Sequence, residues 1–459
     1  MPGTAPGATH AGRRGNEAAA ARSIGTMTTL DIDALRRRFP ALAVPHGDRP
    51  LVFFDGPGGT QVPDVVIDAV ADYYRTSNAN HGGAFETSRR SDAIVEEARA
   101  ALADLIGVDA DEIVIGPNMT TLTFHLSRSI GAGLEPGDEI VLTGLDHAAN
   151  VDPWLAVAAD RGLVVRWWEP DLADCTLDVA GLEALLSPRT RLVAVGWASN
   201  AVGTINPIAR IAAAAHRVGA LVYVDAVHAA PHVALDARAV DADFVACSVY
   251  KFFGPHLGVV YGRRSVLAAL RAYKVRPAGH RFETGTGNFE GQAGALAAIG
   301  YLEDVGRMAG APAGASRRER LVAAMGAIRE VEMDLYRRLH DGLAAIPGLA
   351  LHGIVEPDAF DRRTPTAAFT LAGIGAPDIA RRLGDEGIAA WDGNFYALGL
   401  VERLGLEGSG GLVRLGLTHY NTAAEVDRVL EVLGRIAAGA RSGAGTGASP
   451  AASRIAAAR

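Results

Sequence analysis

Cysteine is almost absent from this chain, which holds two, Cys175 and Cys247, in 459 residues. Two thiols are too few for a disulfide framework or a four-thiolate metal site, and their scarcity suits a reducing cytoplasm. An excess of positive charge is missing too. Lysine and arginine total 44 against 52 acidic residues, a formal charge of -8, so no global basic field is offered to nucleic acid. Local pairs such as Arg317-Arg318 read as solvated helix face. No apolar run reaches the roughly 18 residues that span a bilayer, and the opening MPGTAPGATHAGRRGNEAAAARSIG lacks the apolar stretch of a secretory signal. Neither a membrane span nor export is expected. No HExxH, CxxC or carboxylate cluster offers a metal centre, and the lone GxG of GAGLEPGDE lacks the third glycine of a dinucleotide fingerprint.

What is present is a chain that is 49% hydrophobic and 21% charged, ordinary for a globular protein of two domains. Aperiodic Gly, Ala and Pro-rich segments at 1–27 and 439–459 read as flexible tails. The folded part is expected to start near residue 28, in TTLDIDALRRRFPAL, with Thr29 or Asp31 capping a helix. The runs EIVI, DEIVLT, LVVRWW, TRLVAVGWAS, ALVYVD, DFVACS and GVVYG then alternate with helical patterns over 64–75, 90–106, 119–131, 179–186 and 207–218. This alternation predicts an α/β large domain to residue 295, a seven-stranded and mainly parallel sheet covered by helices. From 296 to 438 a long helix over 318–346 and short strands around ALHG, AAFTLAG, GIAAW and LVRLGLTHY predict a smaller α+β domain. No internal repeat is visible.

Ligands of such sheets bind beyond the carboxyl ends of the strands. Those ends carry His147, Ser199-Asn200, Asp225, and Ser248 with Tyr250 and Lys251 just beyond it. A lysine at the mouth of a buried strand commonly packs its stem and sends its head to water. Buried without a partner, it drifts towards the neutral amine, which is a nucleophile. The company decides between the two. A lysine to form a Schiff base, a carboxylate to keep a pyridine nitrogen protonated, and an imidazole plane to stack on the ring are what pyridoxal 5'-phosphate needs. In GPNMTTLTF, Thr120 and Thr121 open a helix, where free N–H groups and the dipole favour a phosphate. Each element alone is an ordinary cap or structural histidine; together and in this order they carry the reading.

Over residues 30–435 the chain resembles the fold-type I pyridoxal-phosphate enzymes of the class V aminotransferase and cysteine desulfurase group. The matching stretches are LDHAANVDPW, ASNAVGTINPI, VYVDAVHAAPH, CSVYKFFGPHLGVVYG, RFETGTGNFEG and VRLGLTHYNTAAEVD. The resemblance implies the aspartate aminotransferase-like fold, an N-terminal segment built into the small domain, and a homodimer with shared active sites acting on a small-molecule amino acid. Lys251 would be the Schiff-base lysine and proton shuttle, Asp225 the partner of the pyridine nitrogen, and His147 the stacking ring. Asn200 and His228 would lie near the cofactor's phenolic oxygen. Thr120, Ser248 and Tyr250 would hold its phosphate, with Thr286 reaching in from the other subunit, and Met119 would also bind the cofactor. Arg414 would grip the substrate carboxylate in a bidentate fork. Asn80 and His81 of NANHGGAFETSRRS, and Asn394 and Tyr396 of WDGNFYA, would face substrate.

The departures bear on the reaction. Cysteine desulfurases carry a mobile-loop cysteine in a stretch resembling RTGHHCA, where this chain reads WDGNFYA and has Tyr396. Cys175, in the polar turn DLADCTLD, reads as a surface residue and Cys247 as core filler. A glutamine after the aspartate is replaced by His228, and a phosphate-binding histidine before the lysine by Tyr250; both still donate hydrogen bonds. The resemblance therefore implies desulfurase-like or carbon-sulfur lyase chemistry without an active-site cysteine. A class V aminotransferase or an amino-acid epimerase starts from the same proton removal and stays open. So does a non-catalytic regulator or scaffold that merely binds the cofactor, although intact Lys251, Asp225 and Arg414 argue against it.

Overall fold

The computed structural model describes Gly3, residues 30–276 and residues 280–443. The tails expected at 1–27 and beyond 443 lie outside these residues, Gly3 apart. Asp31 caps the first helix, Ile32–Arg36, by accepting from Ala34 N. The last helix, Ala423–Gly443, runs past position 438, where a tail was expected to begin. Val426, Val429, Leu433 and Ile436 bury one stripe of it, and its alanine-rich end has high helix propensity, so the helix outlasts its apolar periodicity.

Seven strands form the large sheet: β1 (Ile113–Gly116), β2 (Glu139–Thr143), β3 (Val164–Trp168), β4 (Thr190–Gly196), β5 (Leu221–Asp225), β6 (Phe244–Ser248) and β7 (Gly258–Gly262). Their order is β1-β7-β6-β5-β4-β2-β3. Only β7 runs antiparallel to its neighbours; the pairs from β6 to β3 are parallel. Strands covered on both faces need apolar side chains on both. Accordingly Val222, Val224, Val245 and Cys247 pack into one core, while Tyr223, Phe244 and Ala246 pack into the other.

Helices Asp64–Thr76, Glu86–Ile106, Met119–Gly131, Val179–Leu185 and Ile208–His216 lie where the sequence predicts them. Helices Asp152–Arg161 and Phe289–Met308 go beyond that reading. In Phe289–Met308 the glycines at 291, 294, 300 and 306 dilute the helical pattern. Gly306 has a packing reason: a Cβ there would come within 2.1 Å of Arg320 O, where this helix meets Arg317–Ala344. That long helix starts at a capping box formed by Ser316 and Glu319.

Beyond it lies an antiparallel sheet of β8 (Leu349–His352), β9 (Thr366–Leu371), β10 (Trp391–Gly393) and β11 (Leu412–Gly416), in the order β8-β9-β11-β10. The early strand Val52–Phe53 pairs in parallel with Ile388–Ala389, and Val52 and Phe54 join the core of Phe369, Leu415 and Leu433. The chain then turns back through Asp55-Gly56-Pro57-Gly58-Gly59. Gly416 N donates to Phe54 O at 2.7 Å and Thr60 N to Tyr250 O at 3.1 Å. This crossing lays the small sheet beside the carboxyl end of β6. Among the described residues, no helix is long and apolar enough to cross a membrane.

Candidate active site

A cavity of about 630 Å³ opens at the carboxyl ends of β2, β4, β5 and β6, between the two sheets. Lys251 enters it from the single turn Val249–Lys251 that follows β6. Its Nζ donates to Pro57 O at 2.5 Å and stands 4.7 Å from the centre of the Tyr250 ring. The turn is held by Phe253 N, which donates to Thr60 Oγ1 at 2.8 Å. Phe253 itself takes a left-handed φ of 71°, a strain that packing must offset. Burial, then the charge of Arg414, push the Lys251 amine down to about 7, against the pull of Asp225 and Asp55. A neutral amine is thus accessible near neutral pH.

Asp225 ends β5, where its Oδ1 accepts from Val227 N at 2.9 Å. Burial pushes its carboxyl up to about 7; the Val227 bond lowers it, the Asp146 charge raises it and Lys251 lowers it. A cation against it would restore the ionised form. Asp146 ties two strand ends together, accepting from Gly196 N at 2.9 Å and from Asn150 Nδ2 at 2.8 Å. The next residue, His147, accepts from Ala149 N at Nδ1, 2.9 Å, so its neutral ring carries the proton on Nε2. Burial, with Lys251 and Arg414 adding to it, pushes that imidazole down to about 4.

Helix Met119–Gly131 points its N-terminus at the same space. Asn118 caps it through Thr121 N, and Met119 N donates to Ser248 Oγ at 3.4 Å. The first-turn N–H groups of a helix lack intrahelical partners and favour an anion. Gly258 lets β7 approach this end, since a Cβ there would sit 2.2 Å from Asn118 C. On the opposite wall Arg414, from β11, donates through Nη1 to Asn200 O at 2.7 Å, with the Phe395 ring 4.2 Å from its Cζ. Its Nε and the Oδ1 of Asn200 have no partner among the described residues. Burial lowers the guanidinium to about 9, opposed by Asp55. Asn200 Nδ2 donates to Phe395 O at 2.8 Å. His228 places its Nε2 3.0 Å from Thr364 Oγ1 and 3.1 Å from Thr366 Oγ1, and burial keeps it well below the usual range.

Lys251, His147 and Asp225 all line the cavity, as do Met119, Thr120, Asn200, His228, Ser248 and Tyr250. Arg414, Asn394 and Tyr396 line it from the small-domain side. Tyr250 stacks on His256 at 4.6 Å. Tyr396 is 68% exposed, with its ring 5.4 Å from that of His147. Asn80, His81 and Thr286 are not in this cavity. They share a second, exposed depression of about 340 Å³ with His280 and Glu283.

Cys175 corrects the sequence reading. It is 1% exposed rather than on the surface, because a left-handed φ of 53° turns the thiol into the core while Asp174 satisfies the turn's Thr176 N. Cys247 is buried as expected, and neither thiol lines the cavity.

The sequence reading missed Asp55, Pro57 and Gly58, and marked the stretch 391–397 as facing substrate without singling out Trp391. The Gly-Pro-Gly-Gly cluster after Asp55 was the available signal, marking a turn rather than an element. Asp55 is half-buried, its carboxyl pushed up to about 6 by desolvation and held down by its own backbone, Arg414 and Lys251.

The chain matches the Aminotransferase class-V family over residues 52–429. It is 35% identical over 415 residues to an aminotransferase-like protein of Gibberella zeae, covering 88% of this chain and 98% of that one. It is 33% identical over 431 residues to a probable cysteine desulfurase of Mycolicibacterium paratuberculosis, covering 89% of this chain and 59% of that longer relative. A solved cysteine desulfurase from Thermococcus onnurineus matches the fold with a TM-score of 0.79 at 26% identity, over 89% of this chain and 98% of that one.

Pyridoxal 5'-phosphate is the cofactor that goes with this family, and the residues present fit it. A buried carboxyl with no cation bonded to it waits at the end of β5, an amine shifted towards neutrality stands nearby, and a helix N-terminus with Ser248 forms an anion cradle. The unpartnered Asn200 Oδ1 and Arg414 Nε leave hydrogen-bonding capacity unspent inside the same cavity. Fold, cavity chemistry and sequence similarity agree: the chain belongs to the class V aminotransferase family of pyridoxal-phosphate enzymes, among whose members are cysteine desulfurases.

Proposed function

We propose that this protein acts on the α-carbon of an amino acid with bound pyridoxal phosphate and no thiol nucleophile, a desulfurase-like or carbon-sulfur lyase chemistry carried out in the cytoplasm. One observation carries the reading: the cavity gathers Lys251, Asp225, His147 and Arg414 and contains no cysteine sulfur. Lys251 would hold the cofactor covalently, Asp225 would face its ring nitrogen, and His147 would lie against its ring. Met119, Thr120, Ser248 and Tyr250 would take the phosphate, with Asn200 and His228 towards the phenolic oxygen. When bound, the cofactor supplies an electron sink that makes the substrate's α-proton acidic.

The chain's own residues do the rest. Arg414 binds and orients the carboxylate. Lys251, its amine lowered to about 7, takes or returns the proton at Nζ, close to the operating pH at which such a group works best. A phenol such as that of Tyr396 is no substitute for a soft thiolate. Burial pushes the Cys175 thiol up to about 11 and raises that of Cys247 as well, which suppresses thiolate in both.

The double change Cys175→Ser, Cys247→Ala is expected to leave kcat within about threefold, the residue of packing loss at 247. Sulfur from a cysteine substrate should leave as sulfide or pass to an added acceptor. A stoichiometric persulfide on either cysteine in the mass spectrum, lost together with activity on mutation, would restore a true desulfurase. A second reading, aminotransfer, is favoured by the relative of 35% identity that carries an aminotransferase-like name. Turnover supported by a keto acid while cysteine analogues are inert would put it first. An epimerase would need neither acceptor nor sulfur, and a scaffold would turn over nothing.

The depression that holds Asn80, His81 and Thr286 apart from their own chain's cavity supports a two-fold dimer in which each chain completes the other's site. Sedimentation should show a dimer. Mixed dimers of Lys251→Ala with Thr286→Ala chains should recover up to about half of wild-type activity per site pair; a fully active monomer would remove this expectation.

A further inference from the structure

We propose that Trp391 sets the substrate class, and that this class is α-amino acids with a large apolar or aromatic side chain, S-substituted cysteines among them, whose carbon-sulfur bond the lyase reading requires. The proposal rests on the reading that Arg414 holds the α-carboxylate beside Lys251. Trp391 and Arg414 are register partners across the antiparallel pair β10–β11, and directly opposed residues project from the same face of a sheet. The partner of Arg414 on its other side is Ala368, which contributes only a methyl group. A carboxylate gripped by Arg414 therefore has an indole on one flank and little on the other.

The indole is tied to the reacting amine as well. A Cβ on Gly58 would come within 2.3 Å of Trp391 Nε1, so the ring lies directly over Gly58. Gly58 follows Pro57, whose carbonyl takes the Lys251 Nζ bond at 2.5 Å. Trp391 thus borders both the guanidinium and the turn that receives the amine, and flanks the cavity that a bound amino acid would enter.

The same stretch, WDGNFYA, adds Phe395 over the Arg414 guanidinium and Tyr396 beside His147. Trp391 and Tyr396 remain 51% and 68% exposed, in a chain with only 6% aromatic residues. Two half-bare aromatic rings at the mouth of one cavity are surface that a ligand can cover. The fixed cations lining the cavity are Lys251 and Arg414, both engaged in this reading. Asp392, next to Trp391 on the strand, lines the cavity too. An acidic substrate side chain finds no free counter-ion there, and a small one leaves the indole wet.

The test is an equilibrium titration of the reconstituted protein, reading the cofactor's visible absorbance and the tryptophan fluorescence as L-phenylalanine, L-leucine, L-alanine, L-cysteine and L-aspartate are added. Phenylalanine and leucine should bind at least about tenfold more tightly than the other three, the worth of burying a side chain of that size. Trp391→Ala should erase most of that preference and move alanine by less than about threefold, while Trp391→Phe should keep it. If cysteine, alanine or aspartate binds best, or if Trp391→Ala leaves the ranking unchanged, the inference is overturned and the cofactor reading survives. If no lysine-held cofactor absorbance forms at all, both fall together. Because Trp391 is half exposed, its replacement leaves the core untouched, and Trp391→Phe guards against a local collapse.

Discussion

Lys251→Ala is expected to fold, to lose the borohydride-fixed lysine adduct of the cofactor, and to turn over about 10²- to 10⁴-fold more slowly, the usual contribution of a positioned acid-base group. The wild-type amine sits under strain: burial lowers it from 10.5 to about 7. Below its folded value the folded state must protonate a buried amine, which costs stability that the unfolded chain does not lose. The cost is largest below about pH 7 and fades as pH rises towards 10.5. Removing the amine removes that cost, so the cofactor-free variant should be no less stable than the parent at neutral pH. Loss of activity then cannot be laid to unfolding.

The experiment is unusually clean because the chain contains one other lysine, Lys274. Peptide mapping after borohydride reduction should place the adduct on Lys251, and Lys274→Arg should leave both adduct and rate intact. An adduct on Lys274, or a Lys251→Ala protein within about threefold of wild-type turnover, would sink the assignment.

The large sheet was legible because strands buried on both faces must be continuous apolar runs, as in ALVYVD and DFVACS, and because their polar ends mark where the sheet stops. Phe289–Met308 was obscured by its glycines, which serve packing against a helix far along the chain. The strand-end side of the candidate site was equally visible, since Asp225 closes its strand and His147 and Lys251 come within four residues of the ends of theirs.

Asp55 and Gly58 were invisible for a different reason, as was the pairing of Trp391, whose stretch the sequence does mark. Their positions depend on the crossing that pairs Val52–Phe53 with Ile388–Ala389, and on the register that sets Trp391 against Arg414. Neither has a local signature. Burial of Cys175 had none either, because it follows from one left-handed residue inside a turn that is polar by composition. Asn80 and His81 show the limit of reading a single chain: they cluster with Thr286, away from their own chain's cavity.

Asp225→Asn should separate catalysis from stability in opposite directions. Once the cofactor is bound, an ionised Asp225 would keep the ring nitrogen protonated. Asparagine cannot, and kcat should fall by about 10²- to 10³-fold, as when one preorganised electrostatic partner is removed. The lysine adduct should still form, because Lys251 is untouched.

In the cofactor-free protein the carboxylate is a liability. Its carboxyl is raised from 3.8 to about 7, chiefly by burial. Between those values the folded state binds a proton that the unfolded state does not, so this group's contribution is favourable below about pH 4 and is lost as pH rises through about 7. Asparagine stays neutral throughout and can still accept from Val227 N. The variant's stability advantage should therefore widen between pH 5 and pH 8, by about 2–3 kcal/mol, and shrink when the cofactor's ring cation pairs with the wild-type carboxylate. Denaturation midpoints of the cofactor-free proteins at the two pH values, beside kcat of the reconstituted ones, measure both arms. Equal stability gaps at pH 5 and pH 8 would show that Asp225 is not the strained group, and a kcat within about threefold of wild type would remove it from the ring nitrogen.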